Sequence, residues 1–343
     1  MAQKKSKRNS KRNQKKQTSI ITSLIILILI IIFGGLGING GLDGLFGSSG
    51  TYSIPSSIQI DDPSALSMHV INIGQGDCVL LSKDGKYALV DAGKSNQKND
   101  IDSTSAITSY LNALGVKQIE FMLISHQDYD HIGSAKTVLS TYPAKAFYDN
   151  GFPHTSATYE NLLTYIDEEN ILYKIVYAGD SIPSPWKGVT INVLSPPKEY
   201  LTDDVNDNSI VVKVTYGTVS YLLTGDATTE TENYILSAGT DIDSDVLKVG
   251  HHGSYSSSSS SFLKAVSPTV SVISVGDENS YGHPHKDALK RLNKYTKYLY
   301  RTDIDGTVVI SSDGKTYSVK TENNIPYNAA AEFVTGNGEA VYA

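Results

Sequence analysis

The chain of 343 residues carries 29 Lys plus Arg against 36 Asp plus Glu and a single cysteine, Cys78. The length suits one large or two modest domains, by the rule of roughly 100–200 residues per domain, and one cysteine excludes an internal disulfide. Eight of the basic residues fall in the first 17 positions, and without them 21 cations face 36 anions, a net of −15. That balance speaks against a tight, nonspecific nucleic-acid binder that works by neutralising phosphates.

Behind the basic tail (1–17), positions 18–38 are almost wholly apolar and unbroken from Leu24 to Phe33. At 1.5 Å per residue the stretch approaches the ~30 Å of a bilayer core, and it lacks the polar face of a soluble core helix. A single-pass membrane anchor is therefore predicted. Lys and Arg stay on the cytoplasmic side, so the N-terminus is expected inside and the catalytic domain outside. The alternative is a secreted product of signal cleavage: GGLGINGGLDG supplies small residues, although it has no A-x-A-like site. Positions 39–64, rich in Gly and Ser, have the composition of a flexible linker, and one folded domain is expected over 65–320.

Within that domain Met68–Ile73, Cys78–Ser82 and Tyr87–Asp91 read as strands joined by Gly-containing turns. Cys78 is expected buried in a strand, with no catalytic role. The glycines around Gln75 read as a tight turn in preference to a phosphate cradle. Ala106–Leu114 has helical spacing and stops at Gly115. Phe121–Ile124 is a short apolar run, and it delivers SHQDYDHIGS, in which His126, Asp128, Asp130 and His131 fall within six positions. Side chains so spaced cannot share one helix face or one strand face, so a loop must gather them. Imidazoles and carboxylates ligate divalent first-row ions, and the excess of carboxylates favours a harder cation such as Mn²⁺ while leaving Zn²⁺ open. A solvated polar loop with a helix N-cap at Asp128 or Asp130 is the plainer alternative.

Further on, Ile132–Ser140, Ala157–Glu168 and Lys286–Tyr295 have helical character. Val189–Leu194, Ser209–Tyr216, Ser220–Leu223, Asp245–Val249, Val270–Val275 and Thr307–Ile310 read as strands. The mixed order predicts layered sheets with helices outside. Asp226 follows YLLTG, and His251 and His252 follow VLKVG, so each is delivered at a strand end, where loops build sites. His283 and His285 lie in YGHPH, while His69 reads as a strand residue and His154 as a loop residue. Ser256–Ser261 reads as a loop at the edge of the site, and 321–343 as a tail or linker.

Seven segments, VINIGQGDCVLL, LVDAG, SHQDYDHIGS, NDNSIVVKVTYG, YLLTGDA, DVLKVGHHGSYSSSS and ISVGDENSYGHPH, occur in the order found in the metallo-β-lactamase superfamily. Within it the chain resembles the hydrolase domain of ComEC-type competence (DNA-uptake) proteins. The resemblance spans about Val70 to His285 and implies an αββα sandwich with a metal site along one edge. Two departures stand out. Asp128 takes the place where most members have a second histidine, and Asn206 and Ser209 of NDNS stand where many members place another histidine ligand. The chain also has one anchor in place of the multi-helix channel of a DNA-uptake protein.

The resemblance implies two divalent ions, Mn²⁺ or Zn²⁺ with Mg²⁺ as a third option. His126 and Asp128 are expected at one ion, Asp130 and His131 at the other, and Asp226 between them. His251 or His283 would complete the second site, and the other would give a proton or hydrogen bond to the leaving oxygen. Asp130, Asp226, His251 and His283 are thus the expected catalytic residues. Asp91, Asn206, Ser209, His252, Ser254, Asn279 and Tyr281 are expected to support ligands or line the substrate edge. The function implied is a phosphodiesterase, with DNA as substrate. A cell-wall phosphodiesterase of the teichoic acid type is the alternative within enzymes, and a non-catalytic, metal-stabilised surface binding module the alternative outside them. Nothing in the residues identifies a protein partner.

Overall fold

The computed structural model describes residues 52–95, 101–323, 333–334 and 340–341. The predicted tail 1–17, the anchor 18–38 and the first part of the linker lie outside them. Among the described residues no helix is long and apolar enough to cross a membrane.

Fourteen strands build two sheets in the described domain. The first sheet contains β1 (Leu66–Val70), β2 (Val79–Lys83), β3 (Lys86–Val90), β4 (Ile119–Leu123), β5 (Ala144–Asp149), β6 (Leu172–Ile175), β13 (Val308–Ser312) and β14 (Tyr317–Thr321). Its order is β14-β13-β1-β2-β3-β4-β5-β6. The second contains β7 (Val189–Ser195), β8 (Val211–Tyr216), β9 (Val219–Leu223), β10 (Val246–Lys248), β11 (Val270–Ile273) and β12 (Tyr298–Arg301), in the order β12-β11-β10-β9-β8-β7. Each sheet begins with antiparallel neighbours and continues parallel, from β3 in the first and from β9 in the second. Parallel strands need crossovers, and helices supply them.

Alternation along the strands sorts the core. Leu66, Met68 and Val70 of β1, Val79 and Leu81 of β2, and Tyr221 and Leu223 of β9 meet in one cluster between the sheets. Leu80, Leu89 and Met122 point to the opposite face of the first sheet, where they pack on the helices Ser103–Ala113, Ala135–Thr141 and Ala157–Glu168. Leu222, Leu247 and Ile273 do the same in the second sheet against Thr229–Ser237, Ser260–Val266 and Lys286–Tyr295. A period of two with both faces buried requires this helix–sheet–sheet–helix layering, as the αββα expectation has it.

Several boundaries differ from the sequence reading. The helix expected over Ile132–Ser140 is two short pieces, Tyr129–Ile132 and Ala135–Thr141, with Gly133 and Ser134 between them. Within 39–64, the described residues from Tyr52 on pack against the domain: Ile58 is buried, and Lys320 Nζ donates to Gln59 O at 2.9 Å. At the other end Thr321 closes β14, and Glu322 accepts from Thr307 N at 2.8 Å. In the tail, Phe333–Val334 pairs with Ala340–Val341 in a separate ladder.

Candidate metal centre

The site forms where loops leave the C-terminal ends of β4, β9 and β10. From β4 the chain runs through Ser125 and His126 into the turn Tyr129–Ile132, which presents Asp130 and His131. From β9 it turns at Gly225 to Asp226. That turn admits no side chain, because a Cβ on Gly225 would lie 2.6 Å from Ser125 Cβ. From β10 it enters GHHG, where His251 and His252 both have left-handed backbones, at φ 47° and 51°. Two consecutive non-glycine residues in that region carry strain of the kind stored at functional sites.

His126, His131 and His252 are buried, and their Nε2 atoms, together with Asp226 Oδ1, have no hydrogen-bond partner. All face one another. His131 Nε2 lies 3.3 Å from Asp226 Oδ1, while His126 Nε2 and His252 Nε2 lie 4.0 and 3.5 Å from Asp226 Oδ2. His252 Nε2 is also 3.4 Å from Asp130 Oδ2, and His126 Nε2 is 3.7 Å from the more exposed Asp128 Oδ2. Among the described residues three groups have ligand atoms close enough to share an ion: His126, His131 and Asp226; Asp130, His131 and His252; and Asp77, Asp91 and His131. Buried polar atoms without partners are costly, and a buried imidazole–carboxylate donor set, with His131 in every group and Asp226 within 4.0 Å of all three rings, fits divalent cations.

The electrostatics run the same way. Burial opposes ionisation of Asp226 and Asp130, yet the neighbouring histidines outweigh it and hold both carboxyls below their ordinary range. Burial likewise opposes charging of His131 and His252, and the carboxylates override it and push both rings up.

The surrounding hydrogen bonds fix the ligands. Asp91, at φ 60°, accepts from Ser125 N and Oγ, both at 2.7 Å, and its Oδ2 lies 2.9 Å from His131 Nδ1. That contact orients the His131 ring. His252 Nδ1 donates to Ser274 O at 2.9 Å and so aims Nε2 at the carboxylates. The sequence reading set His252 beside the ligands; its Nε2 lies within a group, with Asp130 and His131, that could hold an ion. His251 is more exposed, with Nε2 3.8 Å from Asp226 Oδ2, and burial lowers its pKa. His283 stacks on Tyr281 and lies 5.5 Å, centroid to centroid, from His251; burial first, then His252 and His251, lower it to about 4.

Ser209 is buried beside Gly225, and its Oγ has no partner, as is true of Asn206 Oδ1. Ser254 is occupied within its own loop, bonding Ser256 through Oγ at 3.0 Å. Asn279 spends its side chain on Gly276, Tyr281 and His283 backbone, which shapes the loop that carries the latter two.

One supporting pair escaped the sequence reading. Asp77 Oδ2 and Lys248 Nζ form a buried ion pair at 2.7 Å, and Asp77 Oδ1 lies 3.4 Å from His252 Nδ1. Asp77 N also donates to Asp130 O at 3.1 Å. That approach needs Gly76, whose Cβ would meet the same oxygen at 2.6 Å. The clue was a lysine inside the apolar strand VLKVG, since a buried cation needs a buried anion.

The pattern of the metallo-beta-lactamase superfamily matches residues 71–277. The chain is 31% identical over 252 residues to ComE operon protein 3 of Bacillus subtilis, covering 70% of this chain and 32% of that protein. It is 33% identical over 241 residues to Recombination protein 2 of Haemophilus influenzae (70% and 28%) and 32% identical over 240 residues to Competence protein ComA of Neisseria gonorrhoeae (70% and 31%). The chain thus spans about a third of the length of these curated relatives.

Proposed function

The chain belongs to the metallo-beta-lactamase superfamily of metal-dependent hydrolases, related to competence proteins, and from that premise we propose that it is a phosphodiesterase that cuts DNA outside the cell membrane. The observation that carries this reading is the convergence of three unpartnered imidazole Nε2 atoms on Asp226, with Asp130 and Asp128 beside them. A pair of divalent cations held there supplies Lewis acidity that ionises water near neutral pH and offsets charge on a phosphate. Carboxylate-rich ligation suits the harder ions, Mn²⁺ above all, with Zn²⁺ or Mg²⁺ as the alternatives.

The residues divide the remaining work. His126, His131, Asp226, Asp130 and His252 hold the ions, and Asp128 joins at the His126 end. Asp91 fixes the ring of His131 and Ser274 O that of His252, with Asp77 beside the latter. His251, kept neutral by burial, offers a ring N–H to the leaving oxygen, and His283 stands behind it. The basic tail and the apolar stretch 18–38 support a membrane anchor with the domain outside.

The net of −15 outside the tail favours a second reading, a phosphodiester of the cell wall, because an acidic surface repels a long DNA backbone. The test is the full chain, stripped of metal and reloaded with Mn²⁺, Zn²⁺ or Mg²⁺, assayed on DNA and on a small chromogenic phosphodiester beside Asp226→Ala. Cleavage of DNA by the loaded chain and not by the variant is expected. Cleavage of the small ester alone moves the substrate to the cell wall. No cleavage of either leaves a binding module.

A further inference from the structure

Three of the five exposed tyrosines among the described residues sit on the loops of the metal centre: Tyr129 between Asp128 and Asp130, Tyr255, and Tyr281. Tyr255 and Tyr281 are 68% and 56% exposed, more than any other large apolar side chain described. Aromatic rings left in water around one site mark a surface built for contact.

Both are held in place by their backbones. Tyr255 N donates to His285 Nδ1 at 3.1 Å, and Tyr255 O accepts from Arg291 Nη2 at 3.1 Å. Glu232 fixes the next turn by accepting from Ser258 N and from Ser259 N. Tyr281 N donates to Asn279 Oδ1 at 3.2 Å. The rings form a row. Tyr281 lies nearly parallel to His283 at 5.6 Å, His283 stands edge-on to His285 at 4.8 Å, and His285 edge-on to Tyr255 at 5.0 Å, so the two tyrosine rings end the row. His283 is also 6.1 Å from His252, so the row runs from the surface to the ligands. Lys94 Nζ lies over the Tyr281 ring, 5.4 Å from its centroid.

We infer that this row is a stacking platform for the bases of a single-stranded nucleic acid, which it seats beside Asp226. The inference rests on the phosphodiesterase reading and names its substrate class. Every base has a π face, and stacking on aromatic side chains adds a sequence-tolerant hold on a strand to whatever its backbone gains. With a net of −15 outside its basic tail the chain gains little from phosphates, so contact with the bases carries the larger share. A duplex hides its base faces, and a glycerol or ribitol phosphate has none.

The full chain carrying Asp226→Asn, to stop turnover, is titrated with labelled oligothymidylate and with an abasic strand of equal length and charge, and binding is read by anisotropy. The base-bearing strand is expected to bind at least ~10-fold more tightly. Tyr281→Leu and Tyr255→Leu each cut that preference severalfold, whereas Tyr281→Phe and Tyr255→Phe keep it. Equal binding of the two strands, binding of neither, or an undiminished preference in the leucine variants overturns the platform. Cleavage by the chain with Asp226 intact separates the two readings. Equal cutting of both strands keeps the phosphodiesterase and removes the platform; selective binding with no cutting of any phosphodiester does the reverse.

Discussion

Asp91 and His131 are joined at 2.9 Å, carboxylate to Nδ1, and the far side of the same ring faces Asp226 at 3.3 Å. Asp91 therefore sets the ring's orientation and raises the basicity of the nitrogen that meets the ion. Loss of such a partner costs about 10–100-fold in metal affinity. Asp91→Asn keeps the size and tolerates φ 60°, so metal affinity, measured by competition with a chelator, is expected to fall by about that factor. An unchanged affinity would remove Asp91 from the support of the site.

His251 and His252 are adjacent in sequence and separable in role. His252→Ala deletes a buried Nε2 facing both Asp130 and Asp226, so the purified variant is expected to hold less metal than the parent. His251→Ala is expected to keep its metal and lose turnover. Elemental analysis beside an activity assay decides it; equal metal loss in both variants would make them joint ligands.

The buried Asp77–Lys248 pair predicts non-additive energetics. Breaking it from one side leaves an unpaired buried charge, at about 3–5 kcal/mol. Asp77→Asn and Lys248→Met should each cost about that in urea unfolding, while the double variant recovers most of it. Because Asp77 also faces His252, the recovered double variant should still bind metal more weakly. Additive losses would show that the two charges do not depend on each other.

Glu232 gives the domain a pH signature away from the metal. Burial, against the bonds from Ser258 and Ser259, raises its carboxyl from 4.5 to about 7. Between those values the folded chain holds a proton that the unfolded chain has released. Its contribution is complete below pH 4.5, declines as pH rises, and is gone above about 7, a loss of about 3 kcal/mol. Glu232→Gln carries no such proton, so its stability curve should be flatter over that window. Parallel curves for the two proteins would refute this.

Much of the domain was legible because its strands are short, apolar and bounded by turns. The helices Ala157–Glu168 and Lys286–Tyr295 lie where their spacing puts them. The buried strand β5 was missed, since AKAFYD carries a lysine and an aspartate among its apolar residues, and two further kinds of element were not legible. Thr229–Ser237 is mostly polar and is announced chiefly by its Thr228 cap, and the edge strand β6, exposed along its whole length, lacks the alternation that marks a half-buried strand. In the site, residue types were readable and their facing was not. Whether His251 or His252 turns inward depends on two left-handed backbone angles, and the partner of Lys248 lies in the loop before β2 of the other sheet.

The candidate ligands come from both sheets: His126 and His131 follow β4 of the first, Asp226 and His252 follow β9 and β10 of the second. Bound ions would therefore bridge the two layers, acting as a cross-link in a chain whose lone cysteine forbids a disulfide. Such a bridge also has an order in time. The first pair of histidines is synthesised long before its partners, so the bridge can close only after the second sheet has formed. Metal capture would then complete folding rather than begin it, and a chelator should loosen the halves of the sandwich from each other before it unravels either one.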